Sequence, residues 1–151
     1  MDEVSKAVEL FRSGFMCSQA VFAAFSEKYG VSEDQALRIG ACFGSGMNKG
    51  DVCGACTGAL MVLGLAYGNS DSKDMDRRLA AKQKASEFLD EFERRNGSYI
   101  CNSLLDCDLD TDDGRRKARE NGLFVKLCPG YVESAAEIVK EMLEKDPPNP
   151  S

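Results

Sequence analysis

Histidine is missing from the 151-residue chain. Without imidazole there can be no Ser-His-Asp or Cys-His hydrolytic centre, no His-ligated zinc enzyme or haem, no C-x-x-C-H haem attachment, and no His proton shuttle near neutral pH. A basic excess is missing as well: 19 Lys and Arg stand against 25 Asp and Glu, for a formal net charge of -6 and a pI near 4.8. Nucleic-acid binding needs a concentrated basic surface, so no nucleic-acid partner is expected. Long hydrophobic runs are also absent. The longest nearly uninterrupted one, Ala59 to Tyr67, falls far short of the ~20 apolar residues a membrane span requires. Met1-Asp2-Glu3 lacks the basic and apolar regions of a secretory signal, and a cytoplasmic location is the expectation.

The residues that are present read with helical period almost throughout, and no convincing strand is found. With 43% hydrophobic content the chain suits one all-α domain over residues 1–145, a bundle of about six helices, followed by a disordered proline-rich tail at 146–151. Val4, Ala7, Val8 and Phe11 form an apolar stripe that ends at Gly14, and a second helix runs from about Cys17 to Gly30. Ser32-Glu33-Asp34-Gln35 is a capping-box pattern that opens a third. From about Cys53 to Tyr67 the residues are small or apolar on all sides, as expected of a helix buried at the centre of a bundle. Asp71 and Ser72 are read as the start of a long amphipathic helix, with Met75, Leu79, Phe88, Leu89 and Phe92 inward. Cys101 to Leu105 reads as a short helical turn, and 112–121 as a polar helix. Cys128-Pro129 is read as the start of the last helix, with proline at its first position.

Against the missing histidine stand seven cysteines. An odd number in a chain read as intracellular argues for thiols that are free, catalytic or metal-bound. On this reading Cys17, Cys53, Cys101 and Cys128 each begin a helix, where unpaired N–H groups and the positive dipole end favour the thiolate. If those helices converge, four thiolates can share one metal centre. Cys53-Gly54-Ala55-Cys56 is also a C-x-x-C pair, suited to disulfide exchange, although no βαβ pattern surrounds it.

Gly14-Phe15-Met16-Cys17-Ser18-Gln19-Ala20-Val21, Cys53 to Leu60, Cys101-Asn102 and Cys128-Pro129 together resemble the C_GCAxxG_C_C family of redox-active proteins over nearly the whole chain. The resemblance implies an all-helical fold with Cys17, Cys53, Cys101 and Cys128 as the family cysteines. Related domains are joined to multihaem cytochromes and associated with iron–sulfur centres, which favours a cluster. The chain departs in adding Cys42, Cys56 and Cys107, with Cys56 filling a variable position of the motif.

The leading expectation is an iron–sulfur cluster, [2Fe–2S], held by Cys17, Cys53, Cys101 and Cys128 for one-electron transfer with a redox partner protein. A dithiol–disulfide oxidoreductase using Cys53 and Cys56, with no metal, is the alternative; a structural zinc module with four cysteine ligands is the third. Gly54 and Gly58 are expected to let a backbone or a cofactor approach the buried helix, since no phosphate-cradle motif accompanies them. Cys42 and Cys107 are read as packing thiols. The acidic run Asp106 to Asp113 lacks the glycine and glutamate of a calcium loop and is read as a solvated helix cap. A homodimer is allowed by the sequence without being indicated by it.

Overall fold

A computed structural model of the chain describes residues 1–149. Among them are eight α-helices, two more than expected: α1 Glu3–Arg12, α2 Cys17–Ser26, α3 Glu33–Gly40, α4 Gly54–Tyr67, α5 Met75–Asn96, α6 Cys101–Leu105, α7 Asp112–Glu120 and α8 Leu123–Lys145. No strand occurs in the described residues beyond an isolated antiparallel bridge between Val52 and Ile100. None of the described helices is long and apolar enough to cross a membrane.

Helix α4 is the central element, and its composition explains why. Ala55, Cys56, Ala59, Val62, Leu63 and Ala66 are all buried, so the helix has apolar faces to offer α2, α5 and α8 at once. Gly58 sets the distance to α2, because a Cβ there would stand 2.6 Å from the Ser18 carbonyl. The buried Ser18 hydroxyl donates to the Gly40 carbonyl at 2.7 Å, tying α2 to the end of α3. Local caps act as the sequence indicates: Asp2 accepts from Ser5 N–H at 2.8 Å, and Ser32 and Gln35 form their reciprocal box at 3.1 and 3.3 Å.

Two helix starts differ from the sequence reading. Helix α5 begins at Met75, with Asp74 accepting from Arg77 N–H at 3.1 Å; Asp71 instead accepts from Lys73 N–H at 2.9 Å in the preceding turn. Met75 and Leu79, expected inward, are 59% and 56% exposed, whereas Phe88 and Phe92 are fully buried. The reason is helical period: at about 100° per residue, Leu79 lies roughly 180° around the helix from Phe88.

Helix α8 begins at Leu123 rather than at Cys128, and Pro129 lies inside it. Gly122 takes the left-handed conformation at φ 66° and lets the helix start immediately behind it. Pro129 then withholds the N–H that the Val125 carbonyl would accept. Val125 is 79% exposed, so water can reach that face of the helix. Pro129→Ala is therefore expected to raise stability by up to ~3 kcal/mol, read as a higher urea midpoint with an unchanged slope.

Of the segment expected to be disordered, Asp146 accepts from the Tyr67 hydroxyl at 2.5 Å and pairs with Lys84 at 2.8 Å, while the Asn149 carbonyl accepts from Arg77 at 3.1 Å. Its last two positions, Pro150 and Ser151, lie outside the described residues.

Candidate functional site

The bridge between Val52 and Ile100 holds the first two site cysteines side by side. Cys53 N–H donates to the Tyr99 carbonyl at 2.8 Å and Cys101 N–H donates to the Asp51 carbonyl at 2.7 Å. Cys53 is thereby the N-cap of α4 and Cys101 the first residue of α6. Gly14, at φ 116°, turns the chain into α2, of which Cys17 is the first residue. Three of the four expected helix-start cysteines are therefore placed as read. Cys128 is the exception, carried on the second turn of α8.

These four cysteines line one cavity of about 190 Å³. Its remaining wall is mostly apolar, with Phe11, Phe15, Met16, Leu104, Phe124 and Tyr131 among its residues. Phe11, on the apolar stripe of α1, packs against the core and also lines this cavity, because a helical stripe does not tell which part of the interior it faces. Tyr131, one turn beyond Cys128, donates through its hydroxyl to the Leu104 carbonyl at 3.0 Å and tilts against Phe92 at 6.3 Å. Among the described residues, no three Cys, Asp or Glu side chains are gathered so as to hold a single metal ion.

The other three cysteines stay away from this cavity. Cys42 is exposed, Cys107 donates to the Gly114 carbonyl at 3.1 Å, and Cys56 is fully buried beside Cys53. Gly54 belongs to the site: a Cβ there would collide with Cys17 Sγ and stand 3.2 Å from both Gly44 Cα and the Phe43 carbonyl. Gly58 does not line the cavity and instead serves the contact with α2.

Of the four thiols expected to be drawn toward the thiolate by helix starts, only Cys53 is lowered, and chiefly by Cys56 rather than by the helix end. The neighbouring Cys56 thiol, with the N–H groups of Ala55 and Cys56, brings Cys53 below the ordinary thiol range despite its burial. Burial pushes Cys17 up to about 12, with the neighbouring Cys53 charge adding to it, against N–H groups from Ser45, Ser18 and Cys17 itself. Cys101 is pushed up to about 12 by burial and then by Cys53 and Cys17. Cys128 is raised by burial and by the other three. Against a mostly apolar wall, desolvation outweighs what the helix ends supply. A bound cation would reverse the balance, since a coordinating thiol is deprotonated outright.

Ser45, which also lines the cavity, was not singled out by the sequence. It opens a turn in which Ser45, Met47 and Asn48 take φ values of 55°, 58° and 59°. The available signal was the density of glycines at 44, 46 and 50, which flank those strained positions.

An all-helical domain that turns four separated thiols onto one apolar cavity has the makings of a cysteine-centred redox protein. The family described as "Putative redox-active protein (C_GCAxxG_C_C)" matches residues 15–142, and the chain belongs to that family. Comparison with curated proteins and with solved structures gives no match.

Proposed function

We propose that the protein is a one-electron carrier in which Cys17, Cys53, Cys101 and Cys128 hold an iron–sulfur cluster, [2Fe–2S] in composition, and that it exchanges electrons with a redox partner protein. The observation that carries this reading is the meeting of four thiols from α2, α4, α6 and α8 on one cavity of about 190 Å³. That volume is several times the ~30 Å³ of one water, and an all-sulfur donor set suits iron–sulfur ligation. Such a cluster supplies reversible one-electron chemistry. The chain's own contribution is to limit water through the apolar wall, to leave room beside Cys17 by having no side chain at Gly54, and to donate N–H groups to Cys17 and Cys53.

A second reading rests on the adjacency of Cys53 and Cys56, one turn apart at the start of α4. A cavity-lining thiol of lowered pKa backed by a buried second thiol is also the arrangement of a dithiol oxidoreductase. There Cys53 thiolate would attack a substrate disulfide and expel one thiolate; Cys56 would then expel the second and leave a Cys53–Cys56 disulfide for an external dithiol to reduce.

The visible spectrum of protein purified without oxygen, with iron, acid-labile sulfide and zinc measured on the same sample, separates these readings. A coloured protein with matching iron and sulfide is expected, and serine at any of the four cavity cysteines is expected to lower the iron content. A colourless, metal-free protein whose activity disappears in Cys56→Ser would establish the second reading instead. One zinc per chain without iron would establish a structural zinc site.

A further inference from the structure

Every non-glycine residue that takes a left-handed conformation among the described residues lies in one of two segments: Ser45, Met47 and Asn48 in the turn before Cys53, and Asp106, at φ 50°, in the turn after α6. Backbone of this kind persists only where its surroundings hold it. One side chain touches both segments. Asn102 follows Cys101 on α6; its Oδ1 accepts from Leu109 N–H at 2.8 Å, its Nδ2 donates to Asp108 Oδ1 at 3.2 Å, and its own carbonyl accepts from Cys107 N–H at 3.1 Å. On the other side its amide lies against Gly50, where a Cβ would collide with it. Gly50 leads directly into Asp51, whose N–H donates to the Gly46 carbonyl at 3.1 Å and whose carbonyl accepts from Cys101 N–H at 2.7 Å. Lys49 and Asp110 also join the two segments at 3.3 Å, but both are exposed, and such a pair contributes little.

We infer that Asn102 is a positioning residue of the site: its side chain clasps the turn at 45–50 to the loop at 106–111 and so fixes the bridge on which Cys53 and Cys101 stand, together with Ser45 in the cavity wall. The inference rests on the cluster reading for its purpose, since the thiols so placed are the proposed ligands. An amide suits the task, because it offers an acceptor and a donor on one planar group. Removing it leaves Leu109 N–H, on a fully buried residue, without its acceptor and opens the space against Gly50. The strained turn then relaxes, and Asp51, which follows it, carries the acceptor of Cys101 N–H along.

Amide hydrogen exchange of the metal-free protein, kept in chelator and reductant, compares wild type with Asn102→Ala. Exchange at the N–H groups of Cys53 and Cys101 is expected to quicken about tenfold, the scale of the hydrogen bonds removed, while the N–H groups of Val62 and Leu63 at the centre of α4 keep their wild-type rates. A purely structural role would quicken all of them together, and that result, or unchanged exchange at Cys53 and Cys101, overturns the inference. Asn102→Asp keeps the acceptor for Leu109 and loses the donor to Asp108; it is expected to quicken the same two groups, and the same criteria apply to it if the alanine variant does not fold. On protein purified without oxygen, Asn102→Ala is expected to lose iron to a chelator about tenfold faster than wild type. Iron lost at the wild-type rate would leave Asn102 holding backbone without positioning ligands and overturns the inference. A wild-type protein with neither iron nor sulfide removes the cluster reading and leaves the exchange result to decide the placement of the thiols.

Discussion

If the four cavity cysteines hold a cluster as proposed, Gly54→Ala is expected to abolish it while leaving the protein helical. The added Cβ would clash with Cys17 Sγ and stand 3.2 Å from both Gly44 Cα and the Phe43 carbonyl. Two of those three neighbours are backbone, so the group that must yield is the Cys17 side chain. Overpacking of this kind costs about 1–3 kcal/mol, which a helical domain with a large core can survive. A ligand displaced by an ångström is more damaging than the lost stability, and a 10–100-fold drop in metal affinity is the scale known for disturbed ligand geometry. Gly64→Ala is the control. It lies on the same helix with nothing within 4 Å of its Cβ, and alanine there is expected to add up to ~1 kcal/mol while leaving iron content unchanged. Full iron in both variants would mean that the close approach of α4 to Cys17 plays no part in the site.

The metal-free protein is expected to lose stability steeply as pH rises above 9. Cys17 and Cys101 are raised from an ordinary value of 9.0 to about 12 in the folded chain. Between those values the unfolded chain has released both protons while the folded chain retains them, so folding binds protons and stability falls with pH. Each thiol contributes about 1.4 kcal/mol per pH unit in that window. Cys128 and Cys56, raised chiefly by burial, act in the same sense. Cys53 acts oppositely: its folded value is lowered, so its contribution is present above 9 and lost as pH falls through that lower value. Two raised thiols alone remove about 3 kcal/mol per pH unit, against a total of roughly 5–15 kcal/mol for a domain. Between pH 9 and 12 this amounts to about 8 kcal/mol, enough to unfold a domain in the lower half of that stability range. Urea midpoints by circular dichroism from pH 7 to 11, in chelator and reductant, test this directly; a flat profile would mean that water reaches the thiols. Loading a metal should reverse the dependence, because ligation releases these protons and acid then opposes it.

Several features of fold and site were legible because their causes are local. Ser32 and Gln35 cap α3 through side chains three residues apart, and Cys53 to Tyr67 is apolar on every face, which leaves a helix nowhere but the centre. The starts at Cys17 and Cys101 were readable for the same reason. Pro129 misled because proline suits the first turn of a helix and is also found, at a cost, inside one; the left-handed Gly122, six residues upstream of Cys128, decides between them. Met75 and Leu79 misled because their apolar character was followed and their angle around α5 was not.

By itself the sequence determined that this is a helical, cysteine-rich protein without imidazole chemistry, and it singled out the four cysteines that line the cavity, because residue type and short spacing carry that information. Only the tertiary structure decided that those cysteines share one cavity, that Cys56 backs Cys53 from outside it, and that most of the thiols are held protonated. Convergence depends on how α2, α4, α6 and α8 pack, and a thiol's ionisation depends on the solvent that packing removes; neither quantity is a property of neighbouring residues in the chain.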